Sequence, residues 1–533
     1  MSLARNTLVQ SAFTLGSRVF GFLRDAVIAA RIGAGPVGDA WQTALQFPNL
    51  FRRLFAEGAF AQAFVPIYAR IEAERGPEAA QQAASEAMNG LLAATAAFSI
   101  LAQIAMPWIM LVVHAGYRDD PLHFNLTVAM TQLTMPYLVG MAMSSLFSGV
   151  LNSAGRFALS AFAPTLLNLV VLAAVLPFED PYQAAYAASI GVTIAGVLQA
   201  VLLAFGMLRL GVKLRFALPR WTPDLQRIVA VAVPGAVAGS AMQINIVVSQ
   251  VLASLEVGAK SWLAFADRLY QLPLGLIGVA IGIAILPRLA RATRIGDSAD
   301  EARTMDDAIT LSMAFTLPAA AALGVAPFFL LDGFWTRGEF TSADARMSAL
   351  ALQHFAWGVP AFVLVKVFTP PFFAREDSRR PMQFALVTVA LNVVFGVALF
   401  FGLREFGVPG FMGLAIATSL ASWVNVLLLS LTLARRGMYR LGGAAASRLV
   451  RIALATTLMA GAIGAAAYYR PVVVEALGSK EVAVLAVCLA GFLLYAVLAL
   501  AFGAVRLSEI RGALRRERVA PDGGDGLPPG LDG

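Results

Sequence analysis

Five arginines, Arg18, Arg24, Arg52, Arg53 and Arg268, stand in stretches otherwise apolar enough to cross a bilayer. Holding a guanidinium at lipid depth costs roughly 2.5–3.5 kcal/mol on insertion scales, so such a charge normally faces a partner charge, a water-filled cavity or a substrate pathway. An anionic ligand is the economical explanation. Arg18, Arg24 and Arg268 are the candidates to hold it, because three converging guanidinium groups suit a diphosphate, whose oxygens accept bidentate, charge-assisted hydrogen bonds. The ligand reading is favoured for Arg18, which has no acid within one turn. Arg24 stands beside Asp25, and a structural Arg–Asp network between helices is the competing reading there. Arg18 and Asp25 fall about two turns apart on one helix face, so Asp25 also neutralises part of that charge.

Arg52 and Arg53 point about 100° apart on a helix, so both cannot face one ligand equally. They read first as salt-bridge or gate residues, with Glu57 further along the run or Asp39 across the first turn as partner, and second as ligand contacts. Pro48, just ahead of them, should break or kink its helix and free backbone groups that must find other partners. Around Arg268 the run Asp267-Arg268-Leu269-Tyr270-Gln271-Leu272-Pro273 joins a charged pair to another intramembrane proline. Lys366 reads as snorkelling to a boundary rather than adding a further charge. Asn168, Gln243 and Asn392 read as hydrogen-bonding groups between helices. No nucleophile, paired acid and base, or metal motif is recognisable, and His114, His123 and His354 are scattered along the chain. No cofactor and no metal are expected, and an enzyme is disfavoured. Cys488 is the one cysteine, which excludes an internal disulfide.

The elements that must position these residues follow from composition. The chain is 59% hydrophobic and 14% charged, with a mean hydropathy of +0.74, against about 25% charged residues in soluble proteins. This is a polytopic membrane protein. Fourteen apolar runs long enough for a span of roughly 20 residues recur between residues 7 and 505, the third of them at 87–113. They lack the period-2 alternation of barrel strands, so the fold is all-α. An even number of spans puts both termini on one side, and the Lys/Arg bias makes that side the cytoplasm. The cytoplasmic clusters include Arg209, Lys213, Arg215, Arg220 and Arg227, and further groups near 288–303 and 435–451. That bias also accounts for the net charge of +8, so nucleic-acid binding is not expected. Arg18 and Arg24 interrupt the apolar core that a cleavable signal peptide would need.

Internal similarity recurs at a constant offset. Trp41 and Pro66-Ile67-Tyr68-Ala69-Arg70 are echoed by Trp262 and Pro287-Arg288-Leu289-Ala290-Arg291, and Arg156 and Asn168 are spaced as Arg380 and Asn392 are. Two six-helix bundles of like orientation are therefore expected, over 1–222 and 223–440, with two further helices in 441–518 and a disordered Gly-, Pro- and Asp-rich tail over 519–533. Bundles of this kind face each other across a central cavity, and one rocks against the other.

Several runs resemble a known family. Ser17-Arg18-Val19-Phe20-Gly21-Phe22-Leu23-Arg24-Asp25, Pro48-Asn49-Leu50-Phe51-Arg52-Arg53-Leu54-Phe55-Ala56-Glu57-Gly58, Phe162-Ala163-Pro164-Thr165-Leu166-Leu167-Asn168 and Ala266-Asp267-Arg268-Leu269 are similar to runs of the MurJ (MviN) family of bacterial lipid II flippases. The resemblance implies a MATE-like fold of the MOP exporter superfamily with about fourteen helices, and the bacterial inner membrane. It implies as substrate the undecaprenyl-diphosphate-linked disaccharide-pentapeptide precursor of peptidoglycan. Residues important in the family fall on Arg18, Arg24, Asp39, Arg52, Arg53 and Arg268, and the last two helices are implied to form a groove for the lipid tail. Gln271 stands where some members carry a Glu, in the gating or salt-bridge set with Asp25, Asp39, Arg52, Arg53, Glu57 and Asp267.

The expectation is thus a monomeric transporter of lipid II, surrounded by membrane lipids, with the question of partners in the cell-wall machinery left open. Competing readings are a flippase of another polyprenyl-diphosphate-linked oligosaccharide, an exporter of cationic drugs, which the basic cavity disfavours, and an intramembrane polyprenyl-diphosphate phosphatase.

Overall fold

A computed structural model describes residues 3–52, 59–295 and 297–504. Its order is α1 (Leu3–Arg31), α2 (Pro36–Arg52), α3 (Ala59–Arg75), α4 (Pro77–Val113), a 3-10 turn (Ala115–Tyr117), α5 (Pro121–Thr134), α6 (Tyr137–Ser153), α7 (Phe157–Val175), α8 (Pro181–Arg209) and α9 (Pro223–Ser254). There follow α10 (Ala259–Ile295), α11 (Ser298–Val325), α12 (Pro327–Trp335), α13 (Ser342–Ala356), α14 (Val359–Phe368), α15 (Pro370–Phe373), α16 (Arg379–Glu405), α17 (Phe411–Arg435), α18 (Gly443–Tyr468), α19 (Arg470–Leu477) and α20 (Lys480–Ala501). Helix starts are written locally. Pro opens α4, α5, α8, α9 and α12, where its missing N–H costs nothing. Asp120, Asp180, Thr222, Asp297 and Ser479 accept hydrogen bonds from first-turn N–H groups, and Thr341 with Asp344 forms a capping box.

Pro48 does not break its helix: α2 runs through it to Arg52. The carbonyl that Pro48 leaves without an intrahelical donor is that of Ala44, and the Thr134 hydroxyl of α5 donates to it at 2.7 Å. The same device recurs. Tyr495 of α20 donates at 2.6 Å to Ala314, four residues before Pro318. Gln103 and Gln132 exchange amide bonds at 2.8 Å, each donating to the other's backbone carbonyl, and those carbonyls lie four residues before Pro107 and Pro136. In lipid a bare carbonyl is expensive, so each of these four prolines has a polar partner on a neighbouring helix for the carbonyl it frees.

Among the described residues ten helical segments are long and apolar enough to cross a membrane: α4, α5 with α6, α7, α8, α11, α13 to α15, α16, α17, α18 and α20. The protein is a multi-pass membrane protein. The remaining four of the fourteen expected spans also lie on helices, namely α1, α2 with α3, α9 and α10, but are not among those ten. α1, α2 and α10 carry the polar residues described below. The element order repeats, since the paired helices α7–α8 and α16–α17 pack on each other, and α5–α6 and α13–α14 are each interrupted once. Small residues allow the closest crossings: a methyl group on Gly140 of α6 would lie 2.5 Å from the Gly196 backbone of α8. α18 packs on α11 and α20, and α20 on α12, where Asp332 pairs with Arg470 and Arg337 with Glu481 at 3.1 Å.

Candidate functional site

α1 packs along α7 and touches α12. On one side Arg24, buried, donates from Nη1 to the Asn168 side chain of α7 at 3.0 Å, and Asn168 donates in turn to the Ser17 carbonyl at 2.9 Å. On the other side Phe22 packs against Phe334 and Trp335 at the end of α12. Between them sits the Asp25 carboxylate. Its Oδ1 accepts from Arg24 Nε and Nη2 at 3.0 and 2.6 Å, and its Oδ2 faces Nε of Arg268, on α10, at 2.9 Å. Asp25 and Arg268 line a small chamber with Trp41, Gln42 and Phe265.

Arg18, two turns before Asp25, is exposed, and no carboxylate pairs with it among the described residues. Its guanidinium rests on the bare backbone of α10, where a methyl group on Gly275 would lie 1.8 Å from Nη1. Lys366, the exposed residue of the otherwise enclosed α14, is close enough to Arg18 for the two charges to interact. Arg18 and Lys366, with which no carboxylate pairs among the described residues, beside Arg24 and Arg268 on the shared Asp25, make an anion-attracting cleft.

Beyond Asp25 the cleft is closed. Asp39, fully buried in the first turn of α2, accepts four hydrogen bonds: from Tyr117 Oη at 2.8 Å, Gly258 N at 2.8 Å, Ser261 N at 2.9 Å and Ser261 Oγ at 2.8 Å. It thus serves the free N–H groups at the start of α10 from another helix, where helix dipole and charge agree. Next to it the buried Lys260 donates to Thr43 Oγ1 at 2.9 Å, the Val113 carbonyl at 3.1 Å and His114 Nδ1 at 2.9 Å. His114 stacks on Tyr117, ring centroids 4.3 Å apart. Glycine backbones complete the seal. Glu339 N donates to the Ala30 carbonyl at 3.0 Å, and Gly33 and Gly338, both with positive φ, lie where a side chain would strike the opposing strand of backbone.

A model of the family described as lipid II flippase MurJ matches residues 28–477. The chain belongs to the MurJ family. A relative from Rhizobium tropici, a probable lipid II flippase MurJ, is 36% identical over 98% of both chains. The lipid II flippase MurJ of Burkholderia cenocepacia is 35% identical over 83% of this chain and 85% of its own. Among solved structures, a lipid II flippase MurJ in an inward closed conformation superposes with a TM-score of 0.76 at 22% identity, covering 95% of this chain and all of that one. An inward-facing multidrug resistance MATE family transporter of the MOP superfamily superposes at 0.62 with 13% identity over 80% of this chain and 97% of its own. The all-α, MATE-like fold is thereby established.

Within this MurJ-family fold Arg18, Arg24, Asp25 and Arg268 come together around α1 and α10, while Asp39 belongs to the seal. Gln271 donates to Asp267 one turn earlier in α10. Arg52 is half-buried at the end of α2, and Arg53 and Glu57 lie outside the described residues. No role is legible in the sequence for Lys260, Tyr117, Ser261 or Gly275, and His114 figures there only as one of three scattered histidines. Their roles depend on contacts across 71 to 257 positions, the longest between Arg18 and Gly275, and no local motif marks them.

Proposed function

We propose that the chain is a lipid II flippase of the bacterial inner membrane, with both termini in the cytoplasm, working by alternating access between bundles over 1–222 and 223–440. The observation that carries this reading is the shared carboxylate: Asp25 occupies Arg24 and Arg268 together, two turns from an Arg18 with which no carboxylate pairs among the described residues. A singly charged carboxylate is a weak competitor for a diphosphate. As the headgroup enters from the open side, the diphosphate takes over Arg268 and Arg24 and gains Arg18, each bond charge-assisted. That exchange loosens the tie between α1 and α10 and neutralises the repulsion among the arginines, so the ligand favours one state over the other, as any ligand-driven switch requires. The sealed end, with Asp39 and Lys260, then opens to the periplasm. The isoprenoid tail stays in lipid along the helices of 441–518.

Binding of lipid II to the purified protein by native mass spectrometry tests this. Wild type should bind selectively, and Arg18→Ala and Arg268→Ala should not. Binding unchanged in both variants would make the arginines structural. Undecaprenyl diphosphate without sugar or peptide, as competitor, separates recognition of the diphosphate from recognition of the headgroup.

A further inference from the structure

The connection from α8 to α9 is an extended strap, residues 210–222, that no function assigned above uses. Three polar side chains one helical turn apart on α4 hold it by its backbone. Gln81 accepts from Lys213 N at 3.2 Å, Ser85 from Arg215 N at 3.2 Å, and Asn89 both donates to the Arg215 carbonyl at 2.9 Å and accepts from Ala217 N at 3.2 Å. Val212 and Leu214 pack inward against the core beside α4. What remains points away from the protein: Phe216 is 78% exposed, Leu218 86% and Trp221 67%, interleaved with exposed Lys213, Arg215 and Arg220.

The depth of this strap can be read from α4. That helix has 37 residues, roughly 55 Å, where a span needs about 30 Å. Its apolar run begins at residue 87, so Gln81 lies about 9 Å outside the hydrocarbon and Asn89 at its edge. The strap climbs from the first to the second, and Phe216 and Leu218 flank the residue held at the edge. The direction follows too. Ile100 is eleven residues beyond Asn89, about three turns plus 20°, and it opens the exposed apolar stripe of Ile100, Ile104 and Trp108 along the span. The strap therefore covers the outer end of the lipid-facing side of α4.

We propose that this strap docks into the headgroup layer of the surrounding bilayer and binds anionic phospholipid there, with Phe216, Leu218 and Trp221 inserted at the boundary and Lys213, Arg215 and Arg220 on the phosphates. Aromatic side chains settle at that depth, and each basic residue near an anionic surface favours docking by about fivefold. The strap joins the two proposed bundles, so its attachment pins the N-terminal one to the cytoplasmic surface while the other moves.

The test is a spin label at Leu218→Cys in a Cys488→Ser background, in nanodiscs with or without phosphatidylglycerol. With anionic lipid the label should collide with oxygen at least about twofold more readily than with a water-soluble nickel complex, and Lys213→Gln, Arg215→Gln and Arg220→Gln together, or neutral lipid alone, should reverse that preference. A label accessible to water in anionic nanodiscs, including one shielded only when a soluble protein is added, would overturn the proposal. Burial independent of lipid charge and of the three substitutions would overturn the recognition of anionic headgroups.

Discussion

Arg268 and Asp25 meet at 2.9 Å, and the same carboxylate holds the buried Arg24 at 2.6 Å. One acid therefore neutralises guanidinium groups from α1 and α10 at once, which makes it more consequential than either arginine taken singly. Asp25→Asn leaves Arg24 buried without a counter-charge, and breaking one partner of a buried pair costs roughly 3–5 kcal/mol. The variant should unfold at a clearly lower temperature, and adding Arg24→Gln should recover part of the loss. Strictly additive losses in the double variant would mean that Asp25 does not serve Arg24.

Gly275 supplies room rather than chemistry. A side chain there would occupy the place of the Arg18 guanidinium, so Gly275→Ala should push Arg18 away and weaken lipid II binding by about tenfold or more, a loss of one or two charge-assisted bonds. In an Arg18→Ala background the same substitution should change nothing further. Equal losses in both backgrounds would locate the effect in helix packing instead.

The sealed end should respond to acid. His114 follows the last residue of α4, outside the span, and burial, with Lys260 and then His123 nearby, lowers its pKa from 6.5 to about 2. Asp39 and Tyr117 are the other titratable groups of the network facing it. Closed, the ring stays neutral and its Nδ1 lone pair receives Lys260; opened, it regains an ordinary value. As pH falls below about 6.5 the open state binds a proton that the closed state refuses, so closure is fully favoured above that value and weakens progressively below it. Electron–electron distances between labels at Asp119 and Val257 should shift toward longer values at pH 5, and His114→Gln should remove the shift.

The helical runs were legible because lipid forces each one to be apolar and long, and Arg18, Arg24 and Arg268 stood out because charge is rare there. Of the expected spans outside the ten apolar segments, α1 gives up part of its hydropathy to Arg18, Arg24 and Asp25, while the apolar runs of α9 and α10 include residues whose side chains lie outside the described set. Lys260 is unmarked in the sequence because it sits at a helix start, where a lysine is ordinary, and His114 looks isolated there until folding places the two 2.9 Å apart. Lys366 reads as snorkelling from the sequence, and that its charge also acts on Arg18 depends on how α14 packs against α10, which no periodicity encodes.

Pro48 offers the cleanest check on how the intramembrane prolines are tolerated. From the sequence Pro48 should break or kink its helix and free backbone groups that need other partners; α2 continues through it, and Thr134 is such a partner, donating to the Ala44 carbonyl at 2.7 Å. Thr134→Val keeps the shape and removes the donor, leaving a buried carbonyl bare at a cost of roughly 1–3 kcal/mol. Pro48→Ala restores an N–H that can reach Ala44 within the helix, so in that background Thr134→Val should cost much less. The difference between the two backgrounds is the coupling energy of a double-mutant cycle, measurable from unfolding midpoints in one detergent. A Thr134→Val loss that is the same with and without Pro48 would mean the hydroxyl stabilises α5 alone, through its second acceptor at Thr131, and that the kinked helix satisfies its own carbonyl by local adjustment.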